Sequence, residues 1–264
     1  MRHSLFVALT MALAPAAALA IDGQVLINMS TVSAAGGFPY TIRQAGSYKL
    51  SGNLTVPNGD TTAIVIAHDN VTLDLNGFSI LGAVDCTAGF PCANGAGNLG
   101  HGVRAGTDTP AQMYFNITVR NGTISGMGAD GVHILGDNVT VEDLHVRNSG
   151  LSGIVVRPTG TATQTNLIVR RNTAGWNSSY GIKAYGGLIS DNTVSHTGDA
   201  GISVQLYGGI VTHNWVSYSN SFGLFMVGTT SYTGNTLVNN NGGGVQVSGG
   251  VNLGQNLCGT AVCP

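Results

Sequence analysis

Charge is scarce in this chain. Only 8% of its 264 residues are Asp, Glu, Lys or Arg, and the formal net charge is −2. A nucleic-acid partner calls for a strongly basic face, so the composition predicts no nucleic-acid partner. Long apolar runs are also missing beyond residue 20. A membrane-crossing helix needs about 18 or more such residues, so no membrane span is predicted. Cysteine is limited to four residues in two local pairs, Cys86/Cys92 and Cys258/Cys263. Neither pair has the C-x-x-C form and no His lies beside either, which argues against a metal site. Disulfides are the natural reading after export, and of the three possible pairings the two local ones are favoured. Each would close a short loop and contribute about 2 kcal/mol. Leucines at fixed places in a repeat are missing too, which argues against a leucine-rich repeat.

Arg2 and His3 precede an apolar stretch from Leu5 to Leu19, which ends at Ala18-Leu19-Ala20. This is the pattern of a signal peptide with a small-x-small cleavage site. Residues 1–20 are therefore read as cleaved, and the chain as secreted or periplasmic. No Cys follows the cleavage site to carry a lipid anchor.

The abundant residues are Gly, Asn, Ser and Thr, and they recur with a period. Asn172, Asn192, Asn214, Asn235 and Asn256 are spaced 20, 22, 21 and 21 residues apart. Gly-aliphatic pairs recur at Gly102, Gly131, Gly153, Gly181, Gly201, Gly223 and Gly244. Asn121 and Asp143 fit the asparagine series with a slip of one residue, and Asn53 and Asn76 extend it backwards. Each unit holds three short apolar runs separated by turns. In 137–156 these are Val139-Thr140-Val141, Leu144-His145-Val146 and Ile154-Val155-Val156. Three strands per unit, each stacked on the unit before, make three parallel sheets about 4.8 Å from coil to coil. The predicted fold is all-β, a right-handed parallel β-helix of about nine coils. The asparagines fit a corner where each amide bonds the next, and Gly fits other corners, where φ can be positive. Residues 21–50 are read as the N-terminal cap and first strands, 51–257 as the β-helix, and 258–264 as a disulfide-closed C-terminal cap. A Gly- and Ala-rich insertion spans 82–100, and longer excursions follow Ala105 and Arg157. Such loops in a regular solenoid are candidates for walling a groove.

The run Asp69-Asn70-Val71-Thr72-Leu73-Asp74-Leu75-Asn76-Gly77, followed by these coils, resembles bacterial right-handed β-helix proteins of the pectate-lyase-like superfamily. The resemblance covers roughly residues 45–257. It implies the fold, and a choice among lyases, hydrolases, epimerases, esterases and non-catalytic binding proteins. Several family features are absent. The acidic cluster with which pectate lyases hold Ca²⁺ is not legible. Asn-Thr at 172–173 and 192–193 lacks the Asp that follows it in polygalacturonase-like hydrolases. The Asp-Pro-His-Glu segment of alginate epimerases does not occur. No cofactor is evident, calcium is left open, and the oligomeric state is not encoded legibly.

Chemistry is sought on the strands that begin with the aligned Gly. Their outward residues read Arg104, His133, Val155, Lys183, Ser203, Phe225 and Gln246, then Leu135, Arg157, Tyr185, Gln205, Val227 and Ser248. An acidic chain thus gathers cations on one face, at coil spacings that suit a polysaccharide carrying repeated carboxylates. Tyr185 and Phe225 are candidates to stack on sugar rings, with Arg104, Asp130 and Gln205 as further substrate contacts. If the face is catalytic, β-elimination is the natural reaction. Arg157 or Arg104 would neutralise the uronate carboxylate, Lys183 would act as base, and His133 or Tyr185 would protonate the leaving oxygen. The competing reading is a non-catalytic glycan-binding or structural solenoid. His68 and His101 are read as no more than groove lining, and His145, His196 and His213 as surface or corner residues.

Overall fold

The computed structural model describes residues 23–90, 92, 99–109, 111–158 and 166–263. The proposed signal peptide and the centres of the 82–100 and 157–165 excursions lie outside the described residues. The rest winds into a parallel β-helix. Alternating runs such as Val71–Asp74 bury every second side chain, the pattern a strand with one wet face requires.

Three faces stack in register. The first runs from Gln24–Ile27 to Val251–Asn252 through ten rungs among the described residues. The second runs from Leu54–Thr55 to Leu257–Cys258 through nine. The third runs from Tyr40–Ile42 to Val247–Ser248, also through nine. The long strands Tyr114–Ser125 and Val132–Arg147 pass round a corner without a break. One apolar core runs the length of the coil, from Ile27 to Leu237. Each fully buried Ile, Leu or Val in it contributes about 1.5–3 kcal/mol over leaving it in water.

The interior asparagine file is present. Asn172, Asn192, Asn214 and Asn235 each donate from Nδ2 to the Oδ1 of the next, at 3.1, 2.9, 3.0 and 2.9 Å, ending on Asn256. The same oxygens also accept the backbone N–H of the preceding asparagine. The one-residue slip of Asn121 and Asp143 is a change of face. Their counterparts in later coils are Arg171, Asp191 and His213, and all five have positive φ on the outside of the corner. The interior position in these earlier coils is Gly122 and Leu144, which pair with each other. The file therefore begins at Asn172, whose Oδ1 accepts from Leu144 N–H.

The aligned glycines serve a different purpose from the one their corner position suggested. Gly131 and Gly201 do not have positive φ. A Cβ on Gly201 would lie 2.1 Å from Val216 Cγ1, and one on Gly131 would lie 2.2 Å from Val146 Cγ1. Glycine is needed because the next coil packs directly on the backbone.

Both ends are closed. The short helix Met29–Ala34 is started by Asn28, which caps Ser30 and Thr31 N–H in a capping box with Thr31. Its Val32 plugs the end of the core. At the other end Leu257–Cys258 turns back antiparallel on Ala261–Val262. The Cys258–Cys263 and Cys86–Cys92 disulfides are both formed. The described part of the 82–100 insertion does not wall the third face. Val84, Phe90 and the Cys86–Cys92 bridge pack with Trp176, at the corner between the second and third faces.

Candidate functional site

Strand pairing sets the outward column of the third face. It reads Thr41, Val65, Arg104, His133, Val155, Lys183, Ser203, Phe225 and Ser248. The last place corrects the sequence reading by two residues. Gln246 is instead a buried corner residue bonded to Asn240. Leu135 is also corrected, since it is buried against Gly106 and the hairpin that follows. That hairpin pairs Thr107–Asp108 with Ala111–Gln112.

A groove of about 380 Å³ lies over the middle of this face. Asp130, His133, Arg157, Lys183 and Tyr185 line it, together with Tyr180. Five residues singled out in the sequence are therefore neighbours here. The walls are the corner turns Leu151-Ser152 and Ser179-Tyr180. Arg104 lines a separate cleft of about 300 Å³ with Arg43 and Tyr114, on the far side of the hairpin. Gln205 and Phe225 stand beyond the groove. Gln205 donates to Ser203 Oγ at 3.2 Å, and Phe225 stacks on Phe222 with ring centroids 6.1 Å apart.

Two features organise the groove. The first is a pair of cations over aromatic faces. Lys183 Nζ lies 4.9 Å from the Tyr180 ring centre and 5.8 Å from that of Tyr185. The Arg157 guanidinium carbon lies 5.8 Å from the same Tyr185 ring. The negative ring faces attract both cations and hold them at the groove. Tyr180 is itself fixed, its hydroxyl bonded to Asp199. Burial first, and then the Asp199 charge, push its pKa above the usual phenol value.

The second is a histidine pair around one carboxylate. Asp130 is 4% exposed. Its Oδ1 accepts the Ser152 N–H at 2.8 Å, and its Oδ2 lies 2.7 Å from His133 Nδ1. The carboxylate accepts a hydrogen bond from Nδ1–H, which in the neutral ring leaves the lone pair of His133 on Nε2. His101 stands on the other side, with Nδ1 3.6 Å from the same Oδ2. That Nδ1 accepts the Asp130 backbone N–H at 3.3 Å, so it is unprotonated. Burial pushes His101 down to about 4, against the upward pull of Asp130, while His133 and Arg104 add to the downward shift. At neutral pH His101 and Asp130 are therefore not an ion pair.

Sequence reasoning missed Tyr180 and the role of His101. Tyr180 directly precedes an aligned Gly, so its corner position was visible, but not its turn towards Lys183. His101 lies one residue before Gly102, as Asp130 does before Gly131. That shared offset was the available signal. Other cations are engaged away from the groove, with Arg120 on Asp74, and Arg170 and Arg171 on Glu142. Calcium is poorly served here. It prefers six or more oxygen ligands, and the one cluster of three His, Cys, Asp or Glu donors among the described residues holds two imidazoles and a single carboxylate.

Three stacked parallel faces with a cationic, aromatic groove on one of them define a right-handed β-helix protein of the kind that often acts on carbohydrate. The match to known families agrees: residues 111–257 fit the right-handed beta helix region family, and the chain belongs to it. No curated protein matches the chain. Among the described residues no helix is long and apolar enough to cross a membrane.

Proposed function

We propose that this is an exported protein whose third-face groove binds an acidic polysaccharide and cleaves it by β-elimination. The observation that carries the reading is the meeting of Arg157, Lys183, His133 and Tyr185 at one groove. Arg157 and Lys183 share the Tyr185 ring, so both are held where a uronate carboxylate can lie between them. Neutralising that carboxylate makes the neighbouring C5 proton acidic. His133, two rungs from Lys183 and so about 10 Å away along the axis, suits the base better than Lys183 does. Its Nδ1–H is anchored on Asp130, which leaves Nε2 to take the proton. The C5–H pair becomes the C4–C5 double bond, the bond from C4 to the glycosidic oxygen breaks, and Tyr185 supplies the proton to that oxygen. Tyr180 offers a ring face for a sugar. Two disulfides suit an oxidising compartment, as the leader-like N-terminus does.

The experiment is to offer polygalacturonate, alginate and glycosaminoglycans, and to follow the ultraviolet absorbance of the unsaturated product alongside direct binding. Product is expected from at least one polyanion. His133→Ala should lower kcat by about 10²–10⁴-fold, the range for a lost general base. Lys183→Ala and Arg157→Ala should lower kcat/KM by about 10²-fold or more. Binding without product removes the elimination and leaves a glycan-binding groove. Failure to bind any of these polyanions sinks the proposal.

A further inference from the structure

We propose that His101, Asp130 and His133 form a binding site for one divalent transition metal ion of the zinc type. The donor atoms of the three side chains lie within 4.8 Å of one another. Two of the gaps are 2.7 and 3.6 Å, both measured to Asp130 Oδ2. They bracket the edge of about 3.3 Å expected when ligands stand about 2.0–2.1 Å from a tetrahedral metal. Two imidazoles and one carboxylate suit zinc and its first-row neighbours rather than calcium or magnesium.

The arrangement also sets two electron-rich atoms close together. His101 Nδ1 carries a lone pair, since it accepts the Asp130 N–H. It faces a carboxylate oxygen at 3.6 Å with no proton between them. A cation placed there would take both lone pairs in exchange for the hydrogen bonds they now accept, from the Asp130 N–H and the His133 Nδ1–H. The scaffold is already fixed, because Asp130 Oδ1 is held by Ser152 N–H and the strands that follow His101 and Asp130 pair in register, Arg104 against His133. The three side chains are only 13%, 6% and 17% exposed, yet His133 and Asp130 line the groove. A metal held by three protein ligands would take its fourth from that side.

The metal takes the place of the proton on His133 Nδ1, and the one proton of the neutral ring moves to Nε2. An occupied site therefore withdraws the base assigned above. This consequence rests on the elimination reading, whereas the site itself does not.

The test is to titrate the chelator-stripped protein with Zn²⁺ by calorimetry and with Co²⁺ by visible absorption. One equivalent should bind saturably, with the intense visible bands of four-coordinate Co²⁺. His101→Ala and Asp130→Asn should weaken uptake by at least ~10-fold. The more exposed His133→Gln guards against loss of the fold, which circular dichroism checks, and exposed His68→Ala should change nothing. No saturable uptake, or equal uptake in all variants, overturns the site. If the protein also cleaves a polyanion, Zn²⁺ should suppress product formation and a chelator restore it. Cleavage unaffected at saturating Zn²⁺ would overturn the placement at His133. Absence of cleavage would sink the elimination reading while leaving the metal titration to decide the site.

Discussion

Asn214 stands in the middle of the interior file. Its Nδ2 donates to Asn235 and its Oδ1 accepts from Asn192, with the Asn192 backbone N–H on the same oxygen. Replacing it by Ala strands two buried donors of Asn192, each of which costs about 1–3 kcal/mol unpaired. Asn214→Ala should therefore lose about 2–4 kcal/mol in urea unfolding. Asn121→Gly, on the outside of an earlier corner with φ of 62°, should change stability by no more than about 0.5 kcal/mol. Equal losses would mean that the two positions are alike. His101 gives a pH dependence at the same scale. Above pH 6.5 its imidazole is neutral whether the chain is folded or unfolded. As pH falls towards about 4, the unfolded chain takes a proton that the folded chain refuses, so stability falls. Below that value both forms are charged and the loss is complete, at about 3 kcal/mol. Unfolding measured in EDTA from pH 7.5 to 4 should show this decline, and His101→Gln should flatten it.

At the scale of the coil, one close approach decides what a position tolerates. Gly201 carries side chains of the next coil against it, with Val216 Cγ1 in the place of any Cβ and Ser219 Oγ beside it. Gly201→Ala should lower stability by about 1–3 kcal/mol, as overpacking does, read as a drop in Tm. The coil was legible in the sequence because its causes repeat. Buried aliphatics at Val139, Val141 and Val146, a corner Asn, and a Gly each leave a mark every twenty-odd residues. A second interior corner was not legible. The Ser149 N–H donates to Asn177 Oδ1, and the Ser219 N–H to Asn240 Oδ1, but the residue type changes from coil to coil. The groove was half legible. Which side chains point outward follows from alternation, so His133, Lys183 and Arg157 were found. Which of them meet depends on corners and on the 107–112 hairpin, and no periodicity encodes those. Arg104 was therefore placed in the wrong cleft, and Tyr180 was overlooked.

At the scale of the molecule, a stack of parallel strands is stable only if its ends are covered. The C-terminal rung Leu257–Cys258 is covered by its own hairpin partner Ala261–Val262. The Cys258–Cys263 bridge holds that cover in place. The double variant Cys258→Ser/Cys263→Ser should lose about 2 kcal/mol, the entropy of a short closed loop. It should also scatter light on storage, as the uncovered edge recruits other chains. A monomeric, non-scattering double variant would show that the bridge is not what guards the edge. Exposed Val251, Leu253 and Val262 at this end add to the hazard once the hairpin lifts.

The amide file has a direction. Every asparagine from 172 to 235 gives one Nδ2 proton and its backbone N–H to the residue one coil later, and the last, Asn256, closes on Asn252. During synthesis, then, each newly made lap leaves its corner donors waiting for chain that has not yet emerged. The file itself is completed only from behind, like a zip whose final tooth locks the rest. A chain halted anywhere before its last lap carries one open corner.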